Sequence, residues 1–92
     1  MSKEQHFRMP AQGDEWRHYK GGYDSLYTIV SMARDEDGNA VVVYMPSGWT
    51  LAQAPPVYTR RLADFIMEID TGKDIHGRNN KTPRFVCERP TP

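Results

Sequence analysis

The sequence predicts a small, mainly β domain, and two observations carry that expectation. "YDSLYTIVSMAR" and "AVVVYMP" are dominated by β-branched and aromatic residues and flank "DEDGN", whose Asp37 and Gly38 are turn formers, so residues 24–45 read as a β-hairpin. Near the end, "RFVCE" reads as one more short strand. A chain of 92 residues fits a single domain with a thin core, because a domain of that size buries only ~60 to 65% of the surface its unfolded chain exposes.

Taken in order, residues 1–14 are polar, with Pro10 and Gly13 and only Phe7 and two methionines to bury, and are expected to form a loose arm. "EWRHYKGGY", residues 15–23, opens the domain proper: as a strand it places Trp16, His18 and Lys20 on one face and Arg17 and Tyr19 on the other. "KGG" then reads as a tight turn. In the hairpin both parities of "LYTIVSMA" carry apolar side chains, which predicts a strand covered on both faces, with Ile29, Val30, Val42 and Tyr44 largely buried. Pro46 stops the return strand, and "PSGWTLAQAPPVY" follows as an irregular loop in which Trp49 and Leu51 can fold back as a plug. "YTRRLADFIMEID" has helical spacing at Leu62, Phe65, Ile66 and Ile69, yet fits strand, turn and strand equally well, and periodicity does not choose. "TGKDIHGRNNKTP", with residues 71–82 at its heart, reads as a long polar loop, and the tail at 89–92, "RPTP", cannot continue a ladder. The domain is thus expected to span residues 15–88.

Composition excludes several classes. Twelve Lys and Arg balance twelve Asp and Glu, so nothing in the bulk charge favours an anionic membrane or extended duplex DNA, and any electrostatic binding must arise from local segregation. The single cysteine, Cys87, rules out an intrachain disulfide and a cysteine-rich zinc site. His6, His18 and His76 lack metal-ligand spacing, "DEDG" lacks the glycine position and downstream glutamate of a calcium loop, and Ser25, Ser31 and Ser47 have no nucleophile motif around them. Neither metal nor cofactor is expected, and no catalytic residue stands out. No stretch reaches the ~18 apolar residues of a membrane span or forms a signal h-region, so a cytoplasmic protein with no membrane partner is expected.

The blocks "WRHYKGG", "VVVY" and "PRF", joined through "YTRRLADFIMEI", resemble the domain-of-unknown-function 1653 family of bacterial and phage proteins. The resemblance covers residues 16–85, with Arg61 standing where the family pattern has proline and with longer loops around Trp49 and Arg78. It implies a half-open barrel of SH3-like type and favours strand, turn and strand for residues 57–70. It implies no activity.

Function must therefore be sought in side chains. Arg17, His18, Lys20, Arg60, Arg61 and Arg84 recur beside aromatics, among them Trp16, Tyr19, Tyr58 and Phe85. Guanidinium forks bind phosphate bidentately and aromatic faces stack on bases, so these residues are candidates for a nucleotide or short nucleic acid, with Arg17, Arg60 and Arg84 expected within one ligand's reach. The same composition is also what cationic stems covering the apolar edges of a small barrel produce. An alternative of another class is a protein-interaction module that uses an exposed strand edge or the Trp49 loop to dock a peptide or a second copy of the chain.

Overall fold

The computed structural model describes residues 8–21, 25–73 and 75–91. The chain is mainly β. Among the described residues, seven strands, β1 (Glu15–His18), β2 (Leu26–Arg34), β3 (Ala40–Pro46), β4 (Tyr58–Arg61), β5 (Glu68–Lys73), β6 (Asn79–Pro83) and β7 (Phe85–Arg89), are accompanied by a 3-10 turn at Leu51–Gln53 and one helical turn, α1 (Leu62–Phe65). Five strands form an antiparallel sheet in the order β4-β3-β2-β1-β7, and β5 and β6 form a separate hairpin. The larger sheet stays open, with β4 and β7 as its edges, and is not closed into a barrel.

The β2–β3 hairpin forms because its turn is satisfied locally. The Asp35 carboxylate accepts bonds from the backbone N–H of Asp37 and of Asn39, both at 2.9 Å, and Gly38 takes φ 84°, which favours glycine. A bulge at Val30 shifts the register, so Ile29 faces Tyr44 whereas Met32 faces Val42. The inward parity of β2 therefore changes from odd to even. That switch explains the apolar residues on both parities and corrects the expectation that β2 is covered on both faces: Ile29 is buried, while Val30 is only half-buried and Met32 is exposed.

One core lies on one face of the sheet: Trp16, Ile29, Val42, Tyr44, Phe65 and Phe85 are buried together, with Tyr27, Leu62 and Cys87 against them. Phe65, fully buried on α1, stacks flat on Phe85 with centroids 4.1 Å apart and meets Trp16 edge-on at 5.3 Å. The 57–70 segment is thus strand, turn and strand, and the helical spacing of Leu62 and Phe65 serves a single turn. Arg84 pins that turn to the start of β7, its Nε donating to the Asp64 carbonyl and its backbone N–H to the Met67 carbonyl, both at 3.0 Å.

Four other expectations are corrected. Residues 8–14 are no loose arm: Asp14 is fully buried and accepts bonds from Arg8 Nη2, the Ala11 backbone, the Trp16 indole and both the N–H and the hydroxyl of Thr91. Residues 1–7 lie outside the described residues. The tail begins later than residue 89, since Arg89 still pairs with Glu15 in the ladder and Thr91 is held by Asp14. The polar stretch 71–82 is largely a hairpin, with Asp70 opposite Lys81 and Lys73 opposite Asn79. Its side chains on β5 are mostly exposed, so hydrophobic alternation has nothing to report there. Trp49 and Leu51 are likewise exposed, so the loop does not plug the domain.

Candidate functional site

Every strand of the larger sheet sends one aromatic ring into a common cup. His18 comes from β1, Tyr27 from β2, Tyr44 from β3, Tyr58 from β4 and Phe85 from β7, with Arg60 of β4 completing the wall around a cavity of about 220 Å³. Register does the positioning: His18 lies opposite Phe85, Tyr44 opposite Tyr58 and Val42 opposite Arg60. The rings meet largely edge to face. Tyr27 lies 5.4 Å from Tyr44 at 89°, Tyr44 lies 5.5 Å from Phe85 at 73°, and His18 lies 4.9 Å from Phe85 at 79°. This mutual packing fixes the ring planes, so the cup is preorganised.

Arg60 is the charged member of the wall. Its Nε donates to the Tyr44 hydroxyl at 3.3 Å, and its guanidinium carbon sits 5.8 Å from the centre of the Phe85 ring. Among the described residues no carboxylate pairs with it; the carboxylates near other arginines are bound to Arg8, Arg17, Arg61 and Arg89. His18 feels the resulting field. Burial, followed by the positive charges of Arg60, Arg84 and Lys20, holds its imidazole below the usual histidine range. The Lys20 backbone N–H donates to Nδ1 at 3.2 Å, which assigns the remaining proton of the neutral ring to Nε2. The cup therefore combines flat apolar faces, phenol hydroxyls and a neutral imidazole donor with one cation.

Of the residues singled out from sequence, His18, Tyr58 and Arg60 meet in the cup. Tyr19 packs against His18 with centroids 4.8 Å apart, and Lys20 is exposed at the turn. Arg84 spends its Nε on Asp64, although its charge reaches His18. Arg17 points to the opposite side of β1 from Trp16 and His18 and pairs with Glu88 at 3.0 Å. Arg61 faces away from the cup and lies 3.7 Å from Asp35. Its φ of −57° is one that proline also adopts, so the departure from the family pattern needs no change of backbone. The expected cluster of Arg17, Arg60 and Arg84 thus does not line one site: only Arg60 borders the cup. Sequence reasoning missed Tyr27 and Tyr44 and treated Phe85 only as a neighbour of Arg84. Their signal was positional, an aromatic at the inward parity of each strand.

Two further groups resolve simply. At "KGG", Gly21 bonds back to the His18 carbonyl in a tight turn, and a Cβ there would collide with Ser25, so glycine is required by close approach; Gly22 lies outside the described residues. Burial, with the Asp14 charge behind it, pushes the Cys87 thiol up, so it is a neutral group packed on the core.

The family described as "Protein of unknown function (DUF1653)" matches residues 14–86. The chain belongs to this family. The match takes in β1, the β2–β3 hairpin, α1 and the beginning of β7, and hence every residue that lines the cup. No curated protein and no solved structure matches the chain. Among the described residues no helix is long and apolar enough to cross a membrane.

Proposed function

We propose that this domain is a non-catalytic binding module whose aromatic cup takes a planar anionic ligand, a nucleotide or one nucleotide of a short nucleic acid. The observation that carries this reading is Arg60, a cation without a carboxylate partner among the described residues, set in a wall of aromatic rings. Aromatic faces stack on any base, and a guanidinium fork takes a phosphate. Size admits the base of one nucleotide and leaves its sugar and phosphate at the rim. Drug-sized ligands occupy pockets of ~300–1,000 Å³, and a cup of about 220 Å³ holds one ring system. Burial and then the positive charges of Arg60, Arg84 and Lys20 act on His18, so positive charge reaches the cup in a chain of net charge zero. The SH3-like description and a cytoplasmic setting belong to the same proposal.

The test is calorimetric titration of the parent and Arg60→Ala with adenosine and guanosine monophosphates and with a short single-stranded oligonucleotide. Loss of one charge-assisted contact weakens affinity by roughly ten- to a hundred-fold. For the oligonucleotide, the salt slope should also fall by about one. Equal affinity in parent and variant, or no binding of any probe by the parent, sinks the reading.

A second use, docking of a peptide or another copy, is favoured by one observation: Trp49, Leu51, Val57 and Tyr58 are exposed apolar side chains running into edge strand β4. Self-association that survives added salt and is lost in Trp49→Ser, measured by sedimentation, would support it.

A further inference from the structure

The cup has the construction of a cation trap yet carries a cation in its own wall. Tyr27, Tyr44, Tyr58 and Phe85 approach one another with centroids 5.4 to 6.2 Å apart. Such clustered ring faces attract positive charge through their quadrupoles, and a cage of aromatics is the usual receptor for a quaternary ammonium group. Arg60 takes up that attraction from within the chain. Its guanidinium lies over Phe85, and the Tyr44 hydroxyl, by accepting from Nε, holds it there.

We infer that Arg60 is the specificity-determining residue that sets the sign of charge the cup accepts: by placing the chain's own guanidinium over the rings, it shuts out cationic ligands and commits the site to anions. The inference rests on the cup being the binding site, as proposed above, and extends it to the mechanism of selection. The physical argument is one of competition. A free ammonium ligand entering the parent cup meets like charge and gains only what the rings still offer. An anion gains the guanidinium fork, whose orientation is already fixed by Tyr44. Exclusion by like charge is how binding sites reject near relatives of their ligand. Two features of the cup point the same way. Arg60 is half-buried, so water screens its charge incompletely, and after burial its charge is among the causes that hold the His18 imidazole low. Lys20 and Arg84 act on His18 as well, but neither lines the cavity, so Arg60 is where the sign is decided.

The decisive experiment uses two small probes, tetramethylammonium chloride and adenosine monophosphate, against the parent, Arg60→Gln and Arg60→Lys, with tyrosine ring resonances in NMR as the readout and thermal melting as a check on folding. Arg60→Gln is expected to gain tetramethylammonium affinity by about ten-fold over the parent. Arg60→Lys, which retains the charge, is expected to exclude that probe as the parent does. A folded Arg60→Gln with no gain overturns the inference, as does a parent that binds tetramethylammonium equally well. If Arg60→Gln does not fold, Arg60→Met takes its place: a folded Arg60→Met that gains tetramethylammonium while Arg60→Lys and the parent exclude it sustains the inference, and a folded Arg60→Met with no gain overturns it. The nucleotide arm separates the two readings. A parent that ignores adenosine monophosphate while Arg60→Gln gains the ammonium probe removes the nucleotide proposal and leaves the charge rule standing.

Discussion

His18 shows how much of this molecule is decided by the surroundings of one side chain. Sequence alternation placed it on the same face as Trp16, and that held, because β1 keeps strict pleat between residues 16 and 18. What alternation did not supply was the neighbours: Phe85 and Arg60 arrive from strands remote in sequence. Their effect is measurable. A histidine desolvated and faced by cations titrates below its ordinary value of 6.5, so the His18 ring is expected to stay neutral where an ordinary histidine is already taking up its proton. The sign for stability follows: with its folded value depressed, His18 contributes stability that is present above pH ~6.5 and declines as pH falls through the folded value. Following the imidazole resonances by NMR tests this. In Arg60→Gln, where one of the depressing charges is gone, the midpoint should move upward toward 6.5. A His18 midpoint at or above the ordinary value in the parent would contradict the packing around the ring.

At the scale of elements, the β2–β3 hairpin was the most legible part of the chain and the β5–β6 hairpin the least, for one physical reason. The first buries a face, so its apolar residues report its pleat; the second has mostly exposed side chains on β5 and offers only glycine and asparagine to read. Even in the first, the bulge at Val30 was invisible, because a one-residue insertion turns a clean alternation into an apolar run. Val42 lies beyond that bulge and is fully buried. Val42→Ala removes two methyl groups where α1, β2 and β3 meet, and a thin core relaxes poorly around such a loss. The expected cost is on the order of 1 to 3 kcal/mol, read as a lower urea midpoint with unchanged slope. A variant as stable as the parent would mean that Val42 does not face the core.

For the whole molecule, the β2–β3 hairpin and the burial of Ile29, Val42 and Tyr44 were readable because they are patterns within segments, whereas both centres of the fold depend on segments meeting. The aromatic cup gathers one residue or more from each of five strands. The buried Asp14 joins Arg8 and Ala11 before β1, Trp16 within it and Thr91 after β7. A polar stretch at the start gave no hint of this, since a carboxylate that collects donors from both ends of a chain looks in sequence like any loop aspartate. Its chemistry makes a prediction about the stability of the entire domain. Burial alone would push the Asp14 carboxyl up, but the bonds from the Thr91 backbone, the Arg8 guanidinium and the Ala11 backbone outweigh it and hold the group well below the ordinary value of 3.8. A depressed value means that the ionised form is favoured by folding, so its stabilisation is complete above pH ~4 and drains away as pH falls through the folded value. Asp14→Asn keeps the shape but sets an amide donor against donors, at a cost on the order of 3 kcal/mol near neutrality. Because the variant has no charge there to lose, the gap between the two proteins should shrink as acid is added. Urea unfolding of both from pH about 6 down to about 2.5 measures that gap. A constant difference across the range would mean that Asp14 is not the carboxylate that ties the terminal segments to the sheet.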